Sequence, residues 1–215
     1  MSLRHHPDYS SLVSYAAGSL PDAMSLVISC HLSVCDHCKQ IVADAELLGS
    51  QLLDGLTPTN VKPDARNAIL SMLDETSMQE AAAEKPEELS GDVPAPLQSI
   101  LGNELDSLHW RTMAPGMKQF IIPAADGNLR LLKIAPGTCM PAHGHTGSEL
   151  TMVLKGSYSD EIGRFCTGDI ADLDPDVQHQ PVADTSEGCI CLIATDAPLR
   201  FVSLVPRLLQ PFFRL

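Results

Sequence analysis

The sequence predicts a two-domain α plus β protein, with a small helical bundle over residues 1–84 and an all-β domain over 97–215. Three observations predict it. Apolar residues recur at helical spacing in the first part, and short β-type runs between Pro-Gly, Gly-Ser and Gly-Asp turns fill the last. Between them, residues 85–96 read Lys-Pro-Glu-Glu-Leu-Ser-Gly-Asp-Val-Pro-Ala-Pro. Proline withholds amide donors and the acids favour water, so this stretch is expected to be a solvated linker.

Taken in order, Tyr9 to Ala17 is a short amphipathic stretch stopped by Gly18, and Pro21-Asp22 suits the first turn of a second helix. Asp36 to Leu53 places Ile41, Val42, Ala45, Leu48 and Leu52 at three- and four-residue steps, the pattern of one buried stripe. Asp54-Gly-Leu-Thr-Pro58 breaks that helix. A further one is expected from Asp64 to Ala83, with Ile69, Leu70, Met72 and Leu73 on its apolar side. Leu129 to Ile134, Leu150 to Leu154 and Cys189 to Ala194 read as strands, and the evenly spaced turns indicate a barrel or sandwich.

Of the 215 residues 44% are apolar, enough to bury a core, but aromatics are 4%, so that core must be built from Leu, Ile, Val, Ala and Met. Lys and Arg number 14 against 27 Asp and Glu, for a net charge of −13. Affinity for phosphate backbones comes from basic contacts, so direct nucleic-acid binding is set aside. The acidity concentrates at Asp74, Glu75, Glu80, Glu84, Glu87, Glu88 and Asp92. This run reads as a solvated face, with a surface for a basic protein partner as the sharper alternative. The N-terminus lacks a signal-peptide layout and there is no apolar run of about 18 residues, so no membrane span is expected. Seven cysteines, at 30, 35, 38, 139, 166, 189 and 191, are an odd and uneven set. They suggest a reduced, cytoplasmic protein whose thiols bind metal or fill a core.

His31-x-x-x-Cys35-x-x-Cys38 offers two thiolates and an imidazole, a soft set suited to Zn²⁺ in a closed tetrahedral site. On an unbroken helix these positions share an arc of about 60°. Alternatively, one helix ends near His31 and Cys35 opens the next, where a helix N-terminus favours the thiolate. His5 and His6 are the candidates for the fourth ligand, with His6 preferred. Pro7-Asp8 through Leu48, with Gly18-Ser-Leu-Pro-Asp22 and the His-Cys-Cys spacing, resembles the zinc-binding anti-sigma domain over roughly residues 5–84. That resemblance implies a helical bundle clamping an extracytoplasmic-function sigma factor.

A second constellation reads Gly137-x₅-His143-x-His145-x₃-Glu149-x₆-Gly156. Two histidines two apart on an extended chain face one way, and Glu149 arrives on the next strand, so two nitrogens and a carboxylate can converge. Such donors suit Zn²⁺, Mn²⁺, Ni²⁺ or Fe²⁺. This is similar to the first cupin motif at every fixed position, which implies a cupin barrel, a double-stranded β-helix. Gly168 and His179 keep the spacing of the second motif, which implies His179 as fourth ligand. Asp174, Asp176 and Ala183 depart from that motif at its turn and loop positions.

In this order, the two motifs resemble the ChrR-type zinc-binding anti-sigma factors over most of residues 5–205. The resemblance implies a protein that sequesters its sigma factor away from RNA polymerase and releases it on an oxidative signal, such as singlet oxygen, through the cupin domain. It implies Zn²⁺ at the first site and a second divalent metal, Zn²⁺ foremost, in the barrel. The competing class is a cupin dioxygenase or isomerase fused to a zinc module, against which stands the lack of any further acid–base or substrate-anchoring set. A metal-dependent DNA-binding repressor ranks last on charge. Cys189 and Cys191 share a strand face and read as small core residues or as a redox-sensitive pair, with Cys139 a third oxidisable thiol. Trp110 and His109 are expected to pack, and the methionines to fill the core.

Overall fold

The computed structural model describes residues 3–75 and 92–201. Its helices are α1 (Tyr9–Ala16), α2 (Asp22–Leu32), α3 (Asp36–Asp54), α4 (Ala65–Glu75) and α5 (Ala95–Leu101). The strands are β1 (Arg111–Ala114), β2 (Met117–Ile122), β3 (Asn128–Ile134), β4 (His143–His145), β5 (Glu149–Ser159) and β6 (Arg164–Cys166). They continue as β7 (Ile170–Leu173), β8 (Gln178–His179), β9 (Val182–Ala183), β10 (Cys189–Thr195) and β11 (Leu199–Phe201). The helical first part and β second part match expectation, and α4 begins at Ala65 as the pattern predicts. Residues 76–83 of the expected fourth helix, and 85–91 of the expected linker, lie outside the described residues. Asp92 to Pro96 are described: Val93 is buried, and Ala95 and Pro96 open α5.

The strands run β1-β2-β3-β10-β5-β6, with β7 and β9 also on β5, while β11-β4-β8 form a second sheet. Strand β5 makes closure possible. Its first half pairs with β7 and its second with β6 and β9. The change of partners follows Gly156, at φ +74°, where a Cβ would collide with the Gly188 carbonyl. Only glycine permits both that backbone and that approach.

Alternation along the strands separates two cores. Leu132 and Ile134 on β3, Val153 on β5, and Cys189 and Cys191 on β10 point into the barrel with Met117, Met140, Tyr158 and Phe165. Their sequence neighbours Leu131, Leu150, Met152, Leu154, Ile190, Leu192 and Ala194 point outward, into one continuous cluster with Met24, Val27 and Ile28 of α2 and Leu97 and Leu101 of α5. Strands covered on both faces read as apolar runs rather than alternations, as β5 and β10 do. Helix α2 lies on β10, β5 and β3. Its first turn is tied down by the Ala23 amide, which donates to the Asp126 carbonyl at 3.1 Å. Helices and barrel thus share a core.

Three expectations are corrected. The α3 stripe is buried only in its first half, through Cys38 and Val42, whereas Leu48 and Leu52 are 58% and 68% exposed. The second half has no cover among the described residues, so its apolar periodicity serves an exposed face. His109 is exposed, although Trp110 packs and donates from Nε1 to the Leu105 carbonyl at 3.0 Å. Met24, Met117, Met140 and Met152 are core residues, but Met72 is exposed.

Candidate metal centres

The helical part converges His6, His31, Cys35 and Cys38, whose donor atoms lie within 4.8 Å of one another. The chain takes the second of the two geometries open to it: α2 ends at Leu32 and Cys35 is the N-cap of α3, its sulfur accepting the Cys38 amide at 3.5 Å. Cys38 follows one turn later. Both sulfurs stand 3.4 Å from His6 Nδ1. His31, in the last turn of α2, donates from Nδ1 to the Gly168 carbonyl at 2.9 Å. That fixes the tautomer and leaves Nε2 a bare acceptor, buried without a hydrogen-bond partner. His5 is turned away: its ring packs tilted against Phe165, centroids 4.3 Å apart, and Nε2 donates to the Arg164 carbonyl. Cys30 sits in the core and His37 is exposed.

Electrostatics show what this set lacks. Burial, then the neighbouring Cys35 thiol, push Cys38 up to about 12. Burial lowers His31, and burial followed by His37 lowers His6, so both rings are neutral near pH 7. Two thiols and two imidazole lone pairs gathered out of water are satisfied by one soft dication, which would ionise the thiols. The residues present fit such an ion.

In the barrel, His143 and His145 lie on β4, Glu149 opens β5 and His179 closes β8, all 2–4% exposed, with donor atoms again within 4.8 Å. The β4–β8 register sets His143 opposite His179. Nδ1 of His143 donates to the Pro141 carbonyl and Nδ1 of His179 to the Asp160 carboxylate, each at 2.9 Å. Both Nε2 atoms are therefore acceptors, yet they face each other at 3.1 Å. His145 has no hydrogen-bond partner at either ring nitrogen, and its Nδ1 stands 3.4 Å from Glu149 Oε2. Lone pairs aimed together in a buried site fit a cation between them. Burial lowers His143 and His145, keeping them in the ligating form.

Several residues of these sites carry no spacing signal. Asp160 orients His179. Burial works to raise its carboxyl, but the bonds from His179 and the amides of Ile162 and Gly163 prevail and hold it below the ordinary value. Thr151 Oγ1 donates to Glu149 Oε1 at 2.9 Å. Arg130, 7% exposed, donates to Gln119 inside the barrel. Strand alternation could have found Arg130, which falls at an inward position between outward Leu129 and Leu131.

The sequence matches the ChrR cupin-like domain family over residues 100–198. It is 41% identical to the anti-sigma-E factor ChrR of Cereibacter sphaeroides over 216 positions, spanning all of both chains. The structure also matches a chain of the crystal structure of Rhodobacter sphaeroides SigE in complex with the anti-sigma ChrR, with a TM-score of 0.79 and 37% identity. That match covers 91% of this chain and 100% of the other. A helical bundle seated on a cupin barrel, in a chain similar over its whole length to an anti-sigma factor, is the build of a regulator. Within that class, the chain belongs to the ChrR family of anti-sigma factors.

Proposed function

We propose that the chain binds an extracytoplasmic-function sigma factor in the cytoplasm, denies it to core RNA polymerase, and releases it on an oxidative signal such as singlet oxygen received by the barrel. In this reading residues 1–84 form the clamp, 85–96 the connection and 97–215 the receiver. Zn²⁺ is held by His6, His31, Cys35 and Cys38. A second divalent ion, Zn²⁺ foremost, is held by His143, His145, Glu149 and His179.

The observation that carries the clamp is an uncovered apolar surface. Leu47, Leu48, Leu52 and Leu53 of α3, Leu56 beyond it, and Ile69 and Met72 of α4 are each 58–68% exposed. Exposed apolar side chains in this number on α3 and α4 support an interaction site there. The first metal would fix the α2–α3 corner from which this surface projects. No helix among the described residues is long and apolar enough to cross a membrane.

The test is co-expression of the full chain with a candidate sigma factor, followed by co-purification. The double change Leu48→Asp and Leu52→Asp should abolish capture with the melting temperature within a few degrees of wild type. Unchanged capture would remove this face from the interface.

A further inference from the structure

We infer that the barrel's β6–β7 turn, residues 166–170, is the outer half of the helical part's metal site, with Asp169 its positioning residue. The inference rests on the reading that His6, His31, Cys35 and Cys38 hold a metal.

The two histidines of that set owe their placement to the barrel. His31 is aimed by its bond to the Gly168 carbonyl, 2.9 Å long and buried. Gly168 has φ +92°, a backbone that suits glycine, and a Cβ there would run into the Leu3 side chain. His6 follows a segment strapped across the same turn. The Asp169 carboxylate, 2% exposed, accepts the amides of Arg4 at 2.8 Å and His5 at 3.2 Å through Oδ1, and that of Cys166 at 2.9 Å through Oδ2. The Ile170 amide donates back to the His5 carbonyl at 3.2 Å. One buried carboxylate thereby fastens the two residues before His6, and the adjoining carbonyl sets the His31 ring.

The cysteines, by contrast, stand at the start of α3, Cys35 as its N-cap and Cys38 in its first turn. Half the donor set is therefore built by the helices and half is held by the barrel. The turn is itself anchored to β5, where the Gly168 amide donates to the Val153 carbonyl at 2.8 Å and the Val153 amide donates to the Asp169 carbonyl at 3.0 Å. Val153 lies four residues from Glu149 of the other set. Groups that orient metal ligands typically change affinity by about 10- to 100-fold when removed.

The full chain loaded with Co²⁺ gives a site-specific readout, because thiolate-to-cobalt charge-transfer bands can arise only from the set containing Cys35 and Cys38. Under an EDTA challenge, Asp169→Ala should lose these bands about tenfold faster than wild type, while the cobalt held by the barrel set stays at its wild-type level. Arg4→Pro, at an exposed position, deletes one donor to Asp169 without altering a residue of the barrel. It should also quicken the loss, and it decides the question alone should Asp169→Ala fail to fold. Bands that decay at the wild-type rate in the folded variants overturn the inference. A wild-type protein without these bands overturns the metal assignment itself, and this inference with it.

Discussion

At the scale of single residues, the barrel set depends on a carboxylate outside it. Asp160, with a fully buried side chain, receives Nδ1–H of His179 and so keeps Nε2 free for the ion. Asp160→Ala should weaken the barrel metal by about 10- to 100-fold in a chelator titration, leaving the thiolate site unaltered. The thiols divide by the same logic. The sulfurs of Cys189 and Cys191 are 3.9 Å apart inside the barrel. Its hydrogen bond to Cys189, followed by burial, holds Cys191 well above the ordinary thiol range. A protonated, enclosed thiol is a poor nucleophile, whereas Cys139 is exposed. Iodoacetamide on the folded, metal-loaded chain should therefore label Cys139 and spare Cys189 and Cys191, as peptide mass spectrometry would report. Equal labelling would mean that the barrel opens to reagents of that size.

At the scale of elements, the N-terminus of α1 is secured by a strand of the barrel. Asp172 on β7 accepts the Asp8 amide at 3.0 Å, and burial raises its carboxyl above the ordinary value of 3.8. A raised carboxyl binds its proton more tightly when folded. The associated stability is present in acid and is lost as pH rises through the raised value, so neutral pH carries the full cost. Asp172→Asn should accordingly melt above wild type at pH 7, and the margin should shrink at about pH 4. The elements most legible in sequence were those whose pattern is local. Helix ends followed Gly18 and Pro21, and spacing marked His31, Cys35 and Cys38, and likewise His143, His145 and Glu149, because each group sits on adjoining elements; His6 was a preference over His5, and His179 came from the cupin resemblance. Contacts made across the topology were not legible: nothing near His179 points to Asp160, nor anything near His31 to Gly168. The exposed half of α3 misled for a related reason. Periodicity shows that a face is to be covered and does not say whether this chain covers it.

At the scale of the whole molecule, the barrel and the helical part share a wall. The sequence suggested two modules on a flexible connection, but α2 lies directly on β10 and β5. Cys189, Cys191 and Glu149 belong to those same strands, while the outward residues Ile190, Leu192 and Ala194 support the helix that carries His31. Loss of the barrel ion, or oxidation of a buried sulfur, would disturb strands only one side chain away from α2. Releasing half of a complex that is 99% formed takes about 2–3 kcal/mol. Losing one group that orients a metal ligand costs about 10- to 100-fold in affinity, or about 1.4–2.8 kcal/mol, which is of that order. Under the proposed function, occupancy of the barrel site should govern release, while the exposed apolar residues of α3 and α4 should govern capture. Glu149→Ala, with the thiolate site verified as loaded, should repress a sigma-dependent reporter as wild type does in unstressed cells. Under singlet oxygen its induction should fall severalfold. Lost repression before any oxidant would show that the barrel ion maintains the clamp rather than governing its release. A wild-type response would place the receiver outside the barrel centre.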